Sequence, residues 1–255
     1  MSDSLDTHQY ALDGIRKYEA IYGRHFVSPG GESCARECIS RLALKPGDAV
    51  LDVGSGLGGS AFLMARECGA RVHGIDLSAN MVALAKKKCR DEGLEALVTF
   101  AEGDCLDLTD SCSYQAVYSR DVILHIEDKP RLIAILREAL VPGGRLLFTD
   151  YCRGEGRSSD AFEAYVAERG YHLYTVADYD KCLREAGFVE VQAEDWTARF
   201  IDIHRQELAR LPAAGLATDD EAELRLAWRE KIARAERGEQ CWGFFTARRA
   251  ADNRD

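Results

Sequence analysis

Short apolar runs alternate along the chain with longer stretches whose apolar positions recur every three or four residues. "AVLDVG" (49–54), "RVHGID" (71–76), "ALVTFAEGD" (96–104), "YQAVYS" (114–119) and "RLLFTDY" (145–151) are the short runs, and they predict strands. Helical periods lie between them. One runs from about Ser60 to Cys68, and "SANMVALAKKKCRDEG" (78–93) has Ser78 as its N-cap and Gly93 past its end. "KPRLIAILREAL" (129–140) is closed by "VPGG". Two helices precede the first strand, one from about Leu5 to Tyr22 and one starting near Gly31 and ended by the turn "KPGD". This alternation predicts an α/β protein: a mostly parallel, seven-stranded, Rossmann-like sheet with helices on both faces.

After Tyr151 the pattern loosens. A polar loop, "CRGEGRSSD", precedes the short helix "AFEAYVAERGYH". The helix "VADYDKCLREAGF" leads to the strand "VEVQAED". Residues 197–236 are mostly helical, broken around "LPAAGLAT", and "QCWGFFTARR" is a terminal strand. There is no internal repeat and no linker. The expected organisation is a single domain over 1–255, with the N-terminal helices (5–43) and an insert of about 152–236 forming a helical cap or lid over the site.

With 46% hydrophobic and 30% charged residues among 255, the chain can bury a core. A net charge of −10 argues against a nucleic-acid partner, which would need a basic stripe. No apolar run is long enough for a membrane span, and the polar N-terminus "MSDSLDTHQY" has no secretory core, so a cytoplasmic monomer is expected. The nine cysteines form no C-x-x-C pair; Cys34 and Cys38 are the nearest neighbours, and no second pair at ligand spacing supports zinc. Reduced thiols and no metal are expected.

"LDVGSGLGG" sets Gly54, Gly56, Gly58 and Gly59 between a strand and a helix, where a ligand can approach the backbone closely. Asp76 ends the next strand, 22 residues after Gly54, where an acid suits ribose hydroxyls. The turn fits both G-x-G-x-x-G and G-x-G-x-G, so alone it leaves open a dinucleotide or another adenosine cofactor. Asp52 and Asp104 tip the balance. An acid just before the turn repels a pyrophosphate but suits a methionine ammonium group, and Asp104 can meet an adenine amino group. In "YSRDVILHIED", Asp121 and His125 stand four apart at the end of the fourth strand, the carboxyl edge where such sheets bind ligands.

"LDVGSGLGG", "HGIDLS" and "YSRDVILH" resemble the class I AdoMet-dependent methyltransferases. Together with "QYALDGIRKYEAIYG", "SPGG", "TDYC", "ERGYHLYTVADY" and "WREKIARAERGEQCWGFFTARR", the chain from Gln9 to Arg248 is similar to the phosphoethanolamine N-methyltransferases. The AdoMet motifs specify only the cofactor; the opening and the "ERGY" stretch are more specific. The resemblance implies stepwise methylation of phosphoethanolamine to phosphocholine. It places amine-side contacts on Tyr10, Tyr18, Val27, Asp121 and His125, with Tyr10 and His125 as a catalytic pair. Phosphate-side contacts fall on Gln9, Tyr151, Arg169, Tyr171 and Lys231. AdoMet contacts fall on Ser28, Gly54, Asp76, Leu77, Asp104, Cys105 and Arg120, and Asp52 and Gly56 join them from the motif reading.

The chemistry suits these residue types. His125 can take a proton from a bound ammonium, with Asp121 attracting that ammonium and orienting the ring. Arg169 offers a fork of donors for a phosphate and Lys231 a point charge. "CRGEGRSS" and "LPAAGLAT" match no family pattern. The three tryptophans are expected to be core residues, and the remaining histidines structural or surface residues. Three alternatives remain: a methyltransferase for another small acceptor, an NAD-dependent oxidoreductase, and a non-catalytic AdoMet-binding regulator.

Overall fold

The computed structural model describes residues 12–251, so Gln9 and Tyr10 lie outside the described residues. Among the described residues two helices, α1 (Leu12–Tyr22) and α2 (Gly31–Leu42), precede β1 (Ala49–Val53). There follow α3 (Gly59–Cys68), β2 (Arg71–Asp76), α4 (Ala79–Asp91), β3 (Val98–Glu102) and β4 (Tyr114–Arg120). Then come α5 (Lys129–Ala139), β5 (Leu140–Arg153), α6 (Asp160–Arg169), α7 (Val176–Glu185) and β6 (Phe188–Asp195). The chain closes with α8 (Thr197–Arg210), α9 (Thr218–Glu236) and β7 (Gln240–Arg249).

The seven strands form one sheet in the order β3-β2-β1-β4-β5-β7-β6. The first five are parallel; β7 runs antiparallel to both β5 and β6. Residues 50–53 of β1 are all buried, as in a strand covered on both faces, which is why the run reads as nearly continuous apolar sequence. Alternate residues serve opposite layers. Val50, Ala116, Tyr118, Leu147 and Phe244 pack with α2, α3, α4, α8 and α9. Leu51, Val117, Leu146, Phe148 and Phe245 pack with α5 and α7.

Helix starts follow local chemistry. The Ser78 hydroxyl accepts the Met81 N–H at 3.1 Å, and Thr175 and Asp178 form a reciprocal capping box, contacts worth about 1 kcal/mol each. The sheet also corrects the expected cap. Within 152–236, α7 and β6 belong to the core, because β6 pairs with β7 at the sheet edge. Likewise α2 buries Cys34, Ala35, Cys38, Ile39 and Leu42 against the sheet layer and is no lid. The expected cap then narrows to α1, α6, α8 and α9, of which α1, α8 and α9 also pack in the same hydrophobic cluster through Tyr22, Phe200 and Trp228. The "VPGG" turn is absorbed into β5, with a register shift between Tyr114 and Ala116 accommodating it.

Candidate functional site

The glycine turn is tight. Gly54 and Ser55 both donate backbone N–H to the Ile75 carbonyl, at 2.8 and 3.0 Å. Gly54 has φ 69°, and a Cβ there would lie 2.2 Å from Val122 Cγ2, so only glycine lets this turn meet the Asp121–His125 segment. Asp76 anchors the turn: one carboxylate oxygen accepts the Gly56 N–H at 2.8 Å and the other the Ser78 N–H at 2.9 Å. Leu77 follows it, partly buried. Exposed Asp104 caps the short turn Cys105–Asp107 through the Leu106 N–H, and buried Cys105 sits beneath.

Asp52 is 2% exposed, and its Oδ2 has no hydrogen-bond partner. Burial, and then the neighbouring Asp76 charge, push its carboxyl up to about 7. A buried acceptor without a donor fits an incoming ammonium and repels a pyrophosphate. The residues around the turn therefore fit S-adenosylmethionine better than a dinucleotide.

Arg120, expected to touch the cofactor, directs both terminal guanidinium nitrogens to the chain. It donates to the Pro29 carbonyl at 2.5 Å and to the Gly31 carbonyl at 3.2 Å. From the opposite side Glu207 on α8 accepts the Gly30 N–H at 2.8 Å and the Trp228 indole N–H at 2.7 Å. The loop bearing Ser28 is thus held from both the sheet and the cap. Val27, expected on the amine side, lies beside Gly56 and packs with Leu57 and Met81.

Asp121 breaks the strand with φ 57°. Its Oδ1 accepts from Trp242 Nε1 at 2.7 Å and Thr149 Oγ1 at 3.0 Å, while Oδ2 is buried without a partner. Burial raises its pKa; Arg120 and the two donors oppose that rise. Asp121 does not orient His125, contrary to expectation. The left-handed residue takes it out of the turn Ile123–His125, so no helical face aligns the two side chains. The His125 ring instead stands edge-on to Tyr171, centroids 5.3 Å apart. Burial, then Lys129 and His172, lower the imidazole to about 4, so it is neutral at physiological pH.

Across from this turn the cap brings cations and aromatic rings together. Arg169, at the exposed end of α6, feels Tyr171, Tyr165 and Tyr18 electrostatically. Lys231 Nζ lies 4.7 Å from the Trp228 ring centroid and 6.0 Å from that of Tyr151. Burial lowers Lys231 to about 8. Two members, Arg234 and Tyr165, were missed in the sequence. The Arg234 guanidinium stacks 3.8 Å from the Tyr165 ring centroid, and Arg169 lies 5.9 Å from the same centroid. Arg234 falls one turn after Lys231, a helical spacing that could have signalled it. Trp242 was read as core and Thr149 only as part of a strand, and no local pattern marks them as partners of Asp121. Among the described residues no group of His, Cys, Asp or Glu could hold a metal ion, and no helix is long and apolar enough to cross a membrane.

Known proteins resemble this chain in sequence and fold. A family model described as a methyltransferase domain matches residues 50–144. The phosphoethanolamine N-methyltransferase of Plasmodium falciparum is 32% identical over 258 aligned residues, covering 95% of this chain and 94% of that protein. Phosphoethanolamine N-methyltransferase 1 of Zea mays is 41% identical over 250 residues, or 95% of this chain; the chain spans 50% of that relative's length. The phosphoethanolamine N-methyltransferase 2 of Haemonchus contortus, solved with phosphomonomethylethanolamine and S-adenosylhomocysteine, superposes with TM-score 0.94 at 35% identity. That alignment covers 98% of this chain and 60% of the Haemonchus chain. With its class I methyltransferase fold, the chain belongs to the phosphoethanolamine N-methyltransferase family.

Proposed function

We propose that this chain methylates the amine of phosphoethanolamine with S-adenosylmethionine, proceeding through the mono- and dimethyl forms to phosphocholine. One observation carries the reading. Asp121 leaves one acid oxygen without a partner, and the His125 ring meets Tyr171, whose neighbour Tyr165 carries the Arg169 and Arg234 cations over its own ring. A small molecule with an ammonium at one end and a phosphate at the other matches both charges. The ligands of the Haemonchus relative support the same class of acceptor and cofactor.

Asp52, the glycine turn, Asp76, Leu77, Asp104, Cys105 and Ser28 would hold the cofactor, with Arg120 acting by fixing the Ser28 loop. The cofactor supplies an electrophilic methyl group. Transfer to nitrogen needs a lone pair, and an alkylammonium has a pKa of roughly 10.4. Against an imidazole at about 4, that is a gap of roughly six units, on the order of 8 kcal/mol. Burial of the ammonium among the tyrosines narrows the gap, because desolvation disfavours the charged amine. Asp121 draws the ammonium in through Oδ2, and His125 accepts the proton. Tyr10, outside the described residues, would pair with His125 as the resemblance implies, with Gln9 on the phosphate side. Tyr18 would favour the quaternary product through its ring face. Tyr151, Arg169, Tyr171 and Lys231 would take the phosphate.

Nine thiols outside any disulfide support a cytoplasmic setting. Only Val189 and Leu226 stand out as large exposed apolar side chains among the described residues, which supports a monomer. The decisive assay incubates the protein with S-adenosylmethionine and ethanolamine, phosphoethanolamine or its mono- and dimethyl forms, with products read by mass. Methylation of the phosphorylated amines is expected; turnover of none of them removes the reading.

A further inference from the structure

Behind the turn that carries His125 lies a buried pair that none of the roles above uses. Lys129 and Asp150 are each 0% exposed. Lys129 Nζ donates to the Ile123 carbonyl at 2.8 Å and the Ile126 carbonyl at 2.7 Å, bracketing the turn at both ends. Asp150 accepts the Leu124 N–H at 3.0 Å on one oxygen and the Tyr179 hydroxyl at 2.5 Å on the other. The turn is therefore gripped on either side of His125, at the Ile123–Leu124 peptide and at the Ile126 carbonyl, by side chains from α5 and β5, with α7 bracing Asp150. The Leu124 carbonyl is also taken, by the His172 N–H at 2.7 Å.

Burying a lysine and an aspartate together is costly, and a packed apolar pair usually serves stability as well or better. Burial pushes Lys129 down and Asp150 up, each opposed by the other's charge. Such a pair buys definition of the backbone it holds. We infer that Lys129 and Asp150 are positioning residues for the methyl transfer, fixing the turn from which His125 reaches the amine. The inference rests on His125 being the proton acceptor.

It has an electrostatic consequence. The groups facing the imidazole are Lys129 from α5, and Tyr171 and His172 from the segment after α6; Asp150 and Tyr179 stand behind Lys129. The Lys129 ammonium opposes protonation of His125. Removing it makes the imidazole a stronger base, which would speed proton transfer a few-fold at most. Losing the grip shifts the base, and a misplacement of about 1 Å costs up to roughly 10²-fold. Positioning wins, so rate and basicity should move in opposite directions.

The test compares wild type, Lys129→Met and Lys129→Gln in full-length protein. It reads kcat for phosphoethanolamine, S-adenosylmethionine affinity by calorimetry, and the His125 titration by NMR of labelled histidine, assigned with His125→Gln. Lys129→Met should lower kcat at least about tenfold while cofactor affinity stays within about threefold. The His125 midpoint should rise by roughly half a pH unit or more. Lys129→Gln, which keeps an N–H donor for the turn, should recover part of the rate but none of the midpoint; it also carries the test if the methionine variant does not fold. A folded variant with wild-type kcat and an unmoved midpoint overturns the inference, and so does a loss of cofactor affinity in step with kcat. A fully active His125→Ala enzyme would instead remove the proton-acceptor reading, and this inference with it, whatever the Lys129 variants do.

Discussion

Trp242 donates its indole N–H to Asp121 Oδ1 at 2.7 Å, across 121 residues of sequence. The acid that would receive the ammonium is thus oriented from the last strand, and its other oxygen is left for the ligand. Trp242→Phe keeps the ring volume and removes the donor. Loss of a hydrogen bond to a charged group costs about 1.5–3 kcal/mol, so kcat/KM for phosphoethanolamine should fall roughly 10- to 150-fold. Asp121→Asn tolerates the left-handed backbone and removes only the charge, so it should fall at least as far. Steady-state kinetics of both variants would refute this if Trp242→Phe matched wild type.

The cation cluster should decide between phosphorylated and plain amines. Arg169→Ala should raise KM for phosphoethanolamine at least about tenfold, and Lys231→Ala should act in the same direction but less, as a point charge without a fork. Free ethanolamine should give no measurable turnover, because the phosphate end positions the nitrogen. A side-by-side assay showing similar kcat/KM for both acceptors in wild type would dismiss the phosphate pocket.

Glu207 accepts from two donors, the Gly30 N–H and the Trp228 indole. In Glu207→Gln the amide nitrogen must face one of these donors and leave it unsatisfied, at about 1–3 kcal/mol. The Ser28 loop should loosen, weakening S-adenosylmethionine binding roughly 5- to 150-fold in calorimetry. Unchanged affinity would mean the loop keeps its shape without α8.

Acid should destabilise the fold partly through His204. It is 0% exposed, its Nδ1 contacts the Phe200 carbonyl at 2.8 Å, and burial, followed by Lys231, lowers it to about 3. A histidine held neutral contributes stability that is fully present above its unfolded pKa of about 6.5 and is lost as pH falls toward 3. Thermal melting from pH 8 to 4 should show a decline that His204→Phe flattens. Parallel curves for the two proteins would assign the decline to other groups.

Much of this was legible in the sequence because the signals were local. β2 matches its expected run residue for residue, and Ser78 caps α4 as its hydroxyl and position require. The glycine turn and Asp76 were readable from spacing alone. Reading failed where a partner comes from far along the chain. Asp121 was paired with His125, four residues away, whereas its donors are Thr149 and Trp242. Arg120 was read only as a cofactor contact, and nothing nearby hinted that the carbonyls of Pro29 and Gly31 would also take its guanidinium. The cap was drawn too wide because β6 looks like any edge strand until β7 is placed between it and β5.

That placement of β7 bears on how the protein is made. Synthesis runs from the N-terminus, and β6 leaves the ribosome well before the strand that must separate it from β5. Until β7 arrives, β5 has an open edge and β6 has no neighbour in the sheet. The same strand brings the indole to Asp121. A nascent chain can therefore assemble the glycine turn early, yet the acceptor end of the site stays unfinished until nearly all of the described chain has emerged. A cell that stalled translation short of Trp242 would hold a partly folded sheet with an exposed edge, the kind of species on which chaperones act.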